Sequence, residues 1–301
     1  EYPAEHYALI IYDHGHGHTG VAYDFDAPAD DKDCCAPADD KRCEKVPCLA
    51  LNEWRDALSE TDHIDVIYMT ACLMGNIESG YQLRGLADYY VASEAMMWTP
   101  EFDWYVTGQT GTVEETTITV PPLDSQTTPI ELAIAMAQSY RLAMGGDHPG
   151  TISVADLDAV ESLEEKTSAL AGLLRAQMKQ VHSMITQIKL DVQRFDSEDK
   201  DMEIGWDDEV VDLYHFAEQV EFRTTDSDIR VAAADLMASI DDYVVGEDQY
   251  ELRWSGVVTN DDGVSHYWNH SNSHGVSIFF TDYSRSFYKD GSFDFAAGTV
   301  W

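Results

Sequence analysis

Apolar positions follow two patterns along the chain. Between residues 7 and 95 they come in short unbroken runs: YALIIYD at 7–13, DVIYMTA at 65–71 and YYVASEA at 89–95. Runs of this length, rich in β-branched and aromatic side chains and bounded by Asp or Cys, predict strands buried in a sheet. Between them, LALNEWRDAL at 49–58 and GNIESGYQLRGLA at 75–87 predict helices. From residue 127 the spacing changes. TTPIELAIAMAQSYRLAM at 127–144 and the stretch 156–188 place apolar residues three and four apart, which predicts long amphipathic helices. TISVADL at 151–157 reads as a strand running into an N-cap at Asp156. Further helices are predicted over 210–220 and 227–244, and strands over 250–259 and 274–283. HYWNHSNSHG at 266–275 reads as a polar loop.

Strands alternating with helices imply an α/β fold with a mostly parallel sheet, and ligands of such sheets sit beyond the carboxyl ends of the strands. His14 and Cys72 each follow a predicted strand directly. A thiol nucleophile and its histidine need this placement, because neither side chain reaches a common carbonyl from within a sheet. Two other readings stand beside it. A lone cysteine among apolar residues is commonly a packing residue. His14, His16 and His18, alternating along YDHGHGH and joined by His266, His270 and His274, are the ligands of a metal reading, although no carboxylate shell is identified for them.

Composition narrows the functional classes. The chain has 301 residues, 44% of them apolar, enough for a large core. No run of eighteen apolar residues predicts a membrane span, and the opening EYPAEHYALIIYD has no basic n-region, so the chain reads as a mature or trimmed fragment. Against 56 acidic residues stand 18 basic ones, a formal charge of −38. That field argues against nucleic acid as a ligand and favours cationic partners, on an otherwise solvated acidic surface.

Four of the five cysteines fall in DCCAPADDKRCEKVPC at 33–48. Without a CxxC pair, Cys34, Cys35, Cys43 and Cys48 favour two disulfides over a zinc site, and with them an extracellular or cell-envelope location. The same loop carries Asp24, Asp26, Asp30, Asp31 and Asp33. It reads as a solvated charged loop, with calcium as the ion its oxygen density suits, although the spacing is not that of an EF-hand.

DHG at 13–15 followed by ACLMGNIE at 71–78 resembles the clostripain family of cysteine peptidases, relatives of gingipains, legumains and caspases. VASEA at 91–95, VVDLYHFA at 210–217 and HGVSIFF at 274–280 extend the resemblance. It implies a single caspase-like α/β/α sandwich over 1–301. Residues 1–127 would carry the dyad and the acidic cysteine-rich loop at 24–48, and residues 128–301 the added helical region and the last strands. The family places strands ahead of the histidine strand, so the domain is expected to be incomplete at both ends, with an N-terminal chain or propeptide of the same precursor as a partner.

The resemblance makes Cys72 the nucleophile, His14 the general acid, and the amides of Gly15 and Cys72 the oxyanion hole. Lys41, Arg42 and Lys45 are basic points for activation cleavage. Relatives that cleave after Arg or Lys carry an Asp two residues before the nucleophile, where this chain has Thr70. An uncharged hydroxyl cannot balance a buried guanidinium, so a weaker preference for basic residues and tolerance of small or polar ones are expected, unless another acid, Glu94 or Asp103, reaches the pocket. The expected activity is that of a secreted cysteine endopeptidase acting on peptides through an acyl-enzyme, with no cofactor needed for the chemistry. The competing expectations are a catalytically silent caspase-like binding module and a histidine-based metal-dependent hydrolase.

Overall fold

All but the last residue of the run DVIYMTA lies within a strand, Ile64–Thr70, that is buried along its whole length because other strands flank it on both sides. The structure, a computed structural model, describes residues 4–22, 34–36, 44–46, 48–61, 63–98, 108–113, 116–146, 148–196, 202–205, 208–245 and 252–280; at 34–36, 44–46 and 116 it describes the backbone alone. In chain order the strands are β1 (Ala8–Tyr12), β2 (Cys34–Ala36), β3 (Glu44–Val46), β4 (Ile64–Thr70), β5 (Ala87–Ala92), β6 (Thr110–Val113), β7 (Thr116–Thr119) and β8 (Gly150–Asp156). Then come β9 (Arg194–Phe195), β10 (Val210–Asp212), β11 (Leu252–Trp254), β12 (Gly256–Thr259), β13 (Ser265–Trp268) and β14 (Ser277–Phe279). The helices are α1 (Leu51–Ser59), α2 (Ile77–Leu83), α3 (Pro129–Met144), α4 (Val160–Ala176), α5 (Met178–Asp191), α6 (Leu213–Arg223) and α7 (Ser227–Tyr243).

The main sheet runs β1-β4-β5-β8-β11. β1 and β5 are both parallel to β4, and only β8 runs against the rest, so the sheet is mostly parallel as its alternating pattern predicts. The two-residue period of β4 sorts its side chains into two layers. Ile67 and Met69 face a core shared with α1, α2, α4, α6 and α7, whereas Val66 and Tyr68 face α3 through Met136 and Tyr140. Helices therefore cover both faces, giving the α/β/α sandwich. A smaller sheet, β14-β10-β9, is antiparallel throughout.

Several sequence expectations shift in detail. β1 is an edge strand rather than a buried one: its exposure alternates, and Ile10 and Tyr12 face solvent. The helix predicted over 156–188 breaks at Gln177 into α4 and α5. Val210–Asp212 is a strand that hands over to α6, where Asp212 caps the helix. His266, Tyr267 and Trp268, read as loop, belong to β13 and pair with β12, because Tyr267 and Trp268 suit a two-residue alternation better than the surrounding Asn and Ser suggest. The acidic stretch 24–33 lies outside the described residues, as do Lys41, Arg42, Cys43 and Asp103.

Asp212, the last residue of β10, ties that strand to the segment just before β14. Its fully buried carboxylate accepts from the His215 amide at 2.6 Å and the His274 amide at 2.5 Å, and lies 3.1 Å from His274 Nδ1. Asp212→Ala strands two buried amides as well as removing the cap. Urea unfolding is expected to show a loss of about 3 kcal/mol, seen as a lower midpoint at unchanged slope.

Candidate active site

Where β4 ends, the chain turns sharply through Ala71, Cys72 and Leu73 before Asn76 starts α2. The turn is held from several directions. Leu73 adopts φ +63, a left-handed conformation that a leucine takes only when its surroundings impose it. Asn76 accepts from the Ser79 amide at 2.7 Å and donates to the Leu73 carbonyl at 2.8 Å. The Leu73 amide donates to the Ala95 carbonyl, the Gly75 amide to the Ser93 carbonyl, and the Ser277 amide to the Gly75 carbonyl. Cys72 is thus presented on a turn whose backbone is pinned to β5 and to β14.

β1 supplies the histidine. Its register with β4 pairs Tyr12 with Thr70, so His14 and Cys72 each lie two residues beyond the same rung, on neighbouring strand ends. His14 is exposed and its amide donates to the Asp13 carboxylate at 2.6 Å. A Cβ on Gly15 would stand 2.8 Å from the Cys72 carbonyl oxygen, 2.9 Å from Ala71 Cβ and 3.0 Å from Met74 Cγ. Only glycine lets the histidine strand come this close to the cysteine turn.

The Cys72 sulfur accepts from the Met97 amide at 3.3 Å and lies 3.7 Å from the Met97 carbonyl oxygen. Burial pushes its thiol above the ordinary range; the Met97 amide opposes the shift and the Asp196 carboxylate adds to it. Cys72 packs against an apolar cluster of Leu73, Ala95, Phe195 and Val210. Phe195 and Asp196 were not legible as site residues, since a two-residue strand at 194–195 leaves no periodic signal and only its pairing with β10 brings them here.

The other sequence candidates disperse. His16 Nδ1 lies 3.2 Å from the Thr19 hydroxyl, and the buried His18 ring packs 3.9 Å from the Phe279 ring. His274 stacks on Tyr214, and His266 lies in β13. Among the described residues none of these histidines belongs to a group with converging metal-ligand atoms. Thr70 is buried and its hydroxyl donates to the Ile11 carbonyl at 2.9 Å. Glu94, fully buried, accepts from the Ser273 hydroxyl and, at 3.0 Å, from the Gly275 amide. It ties β5 to the segment before β14.

Comparison with known proteins gives the family and the fold. The sequence profile of the clostripain family, peptidase group C11, matches residues 1–296. The chain belongs to the clostripain family. Clostripain from Hathewaya histolytica is 32% identical over 109 residues, a match that spans 34% of this chain and 20% of that protein. The fold is that of C11 proteases. A secreted C11 cysteine protease from Bacteroides thetaiotaomicron, solved with an irreversible peptide inhibitor, superposes with a TM-score of 0.61 at 16% identity, over 98% of this chain and 72% of that one. An inactive zymogen C11 protease from Parabacteroides distasonis gives 0.60 at 16% identity, over 98% and 70%.

Beside the clostripain-family turn lies a histidine that the sequence placed among metal candidates. His270 is fully buried, its ring centroid 5.6 Å from Phe195 and 6.0 Å from Trp268, and neither ring nitrogen has a hydrogen-bond partner among the described residues. Burial lowers its pKa from 6.5 to about 4. Because the unfolded chain binds the proton first, stability is full above pH 6.5 and is lost as pH falls toward about 4. His270→Leu is expected to flatten up to about 3 kcal/mol of that acid-side loss in denaturant titrations across this window.

Proposed function

We propose that this chain is a cysteine endopeptidase that cleaves peptide bonds through a Cys72–His14 dyad. The observation that carries the reading is the shared rung: His14 and Cys72 leave adjacent parallel strands at the same height, with Gly15 packed on the Cys72 carbonyl. In the proposed reaction the thiol proton passes to the His14 imidazole and the Cys72 sulfur attacks the scissile carbonyl carbon. The carbon–nitrogen bond then breaks as His14 protonates the departing amine. Water hydrolyses the thioester and restores the thiol. The Gly15 backbone packs against the Cys72 carbonyl, which supports the amides of Gly15 and Cys72 as donors to the oxyanion. The chemistry needs no cofactor, and calcium in the loop at 24–33 would act on that loop.

The negative field and one buried carboxylate support basic residues at the position before the cleaved bond. Thr70 spends its hydroxyl on β1, and Glu94 is committed to Ser273 and Gly275. Asp196 is buried, and its charge acts on the Cys72 thiol. We read it as the acid that meets an arginine or lysine side chain.

Secretion and processing complete the reading. The four clustered cysteines, Cys34, Cys35, Cys43 and Cys48, lack a CxxC pair, which supports two disulfides and hence an extracellular or envelope setting. One solved relative is described as secreted and another as a zymogen, which supports export and activation by cleavage near Lys41, Arg42 and Lys45. Among the described residues no helix is long and apolar enough to cross a membrane.

Cleavage of a peptide library with varied residues before the scissile bond tests the whole reading. Cys72→Ala is expected to abolish turnover, and His14→Ala to lower kcat by about 10² to 10⁴. Alkylation should inactivate the protein while chelators do not. A folded, unmodified protein with no turnover would identify a silent binding module instead.

Asp196→Asn is expected to cut kcat/KM several hundredfold for arginine and lysine, the penalty of about 3–5 kcal/mol for a buried cation without its partner. Small residues should be cleaved as before. Equal losses for small and basic residues would show that Asp196 shapes the site without reading the substrate.

A counting experiment addresses the cysteines. Denatured, unreduced protein is expected to give one free thiol, and a count of five removes the argument for an oxidising compartment.

A further inference from the structure

A second chemical cluster lies at the opposite end of the sheet, at the amino ends of the strands that carry His14 and Cys72. His63 immediately precedes β4, Asp65 is its second residue and Asp88 is the second residue of β5. Ligand-capable atoms of these three residues lie within 4.8 Å of one another, with His63 Nε2 3.0 Å from Asp88 Oδ1. The β4–β5 register pairs Ile64 with Ala87 and Val66 with Tyr89, so Asp65 and Asp88 occupy facing positions on neighbouring strands. Two carboxylates so placed repel each other, and Asp65 is buried.

The surroundings fix the Asp65 carboxylate in place. His6, just ahead of β1, approaches Asp65 Oδ1 with Nδ1 at 2.7 Å, and the Tyr7 amide donates to Oδ2 at 2.6 Å. A carboxylate oriented by a second histidine is a recurring support around metal ligands. Asp88 and His63 stay half open to solvent, which leaves an entry path and positions for water.

We propose that His63, Asp65 and Asp88 bind a divalent transition-metal ion of the zinc type, with His6 positioning the Asp65 carboxylate. An imidazole nitrogen with two carboxylate oxygens suits zinc, cobalt or nickel, whereas calcium and magnesium favour oxygen alone. Ligand distances of about 2.0–2.2 Å require ligand atoms roughly 3 Å apart, and the His63–Asp88 pair meets that spacing. The ion cancels the repulsion between the two strands and fastens the bases of β1, β4 and β5. Seven residues of β4 separate it from the cysteine turn, roughly 23 Å of strand. Its role is therefore structural, and it does not rest on the peptidase reading.

The test uses the full chain carrying Cys72→Ala, which removes the one free thiol among the described residues as a competing ligand. Metal-stripped protein is titrated with zinc chloride in the presence of excess calcium, and its thermal midpoint is followed. Cobalt(II) visible absorption reports the coordination directly. One equivalent with a micromolar or tighter Kd, a midpoint raised by several degrees and a cobalt band are expected. His63→Gln and Asp88→Asn should each weaken binding at least tenfold and remove the shift and the band. Asp65 is left intact because it also holds the Tyr7 amide. In the otherwise unmodified chain, His63→Gln should leave peptide turnover unchanged. Zinc binding that survives both substitutions, or no binding tighter than calcium competition allows, overturns the proposal.

Discussion

Main-chain contact between Gly15 and Cys72 is the constraint around which the site is built. The separation of the two strand ends is set by a backbone with no side chain between them: any Cβ at residue 15 would push into the Cys72 carbonyl, Ala71 and Met74. Gly75 repeats the arrangement on the other side, where a Cβ would meet the Ser93 carbonyl carbon at 2.7 Å and the Glu94 nitrogen at 2.8 Å. Three neighbouring strand ends therefore approach through bare backbone, and the cysteine turn is clamped between them. The left-handed Leu73 is tolerated because this clamp leaves the turn no alternative.

Electrostatics then decides the resting state of the sulfur. Burial raises the Cys72 pKa, and a carboxylate at Asp196 raises it further. A neighbouring base then has to take the proton before the sulfur can act as a nucleophile.

Legibility in the sequence followed local signal. Buried runs such as DVIYMTA and periodic stretches such as 127–144 announced β4 and α3, because each has enough residues to set a period. The edge position of β1 was hidden, since an apolar run carries no mark of whether one neighbour or two will cover it. His14 and Cys72 stood out by falling at strand ends. Asp196 and Phe195 did not, because they arrive through a two-residue strand whose partners lie elsewhere in the chain. The cluster at His63 and Asp88 was likewise invisible until strand register set two distant positions side by side.

The attachments of the cysteine turn are also unusually remote in sequence. Ser277 reaches Gly75 across 202 residues, the Phe279 amide reaches Glu78 across 201, and the Gly275 amide reaches Glu94 across 181. Contacts of such high order form late, because closing a long loop costs entropy before any contact repays it. During synthesis, β4 and its cysteine leave the ribosome well before the segment that fixes their shape. The nascent chain thus carries Cys72 across some 202 residues of further synthesis before the turn that presents it is pinned.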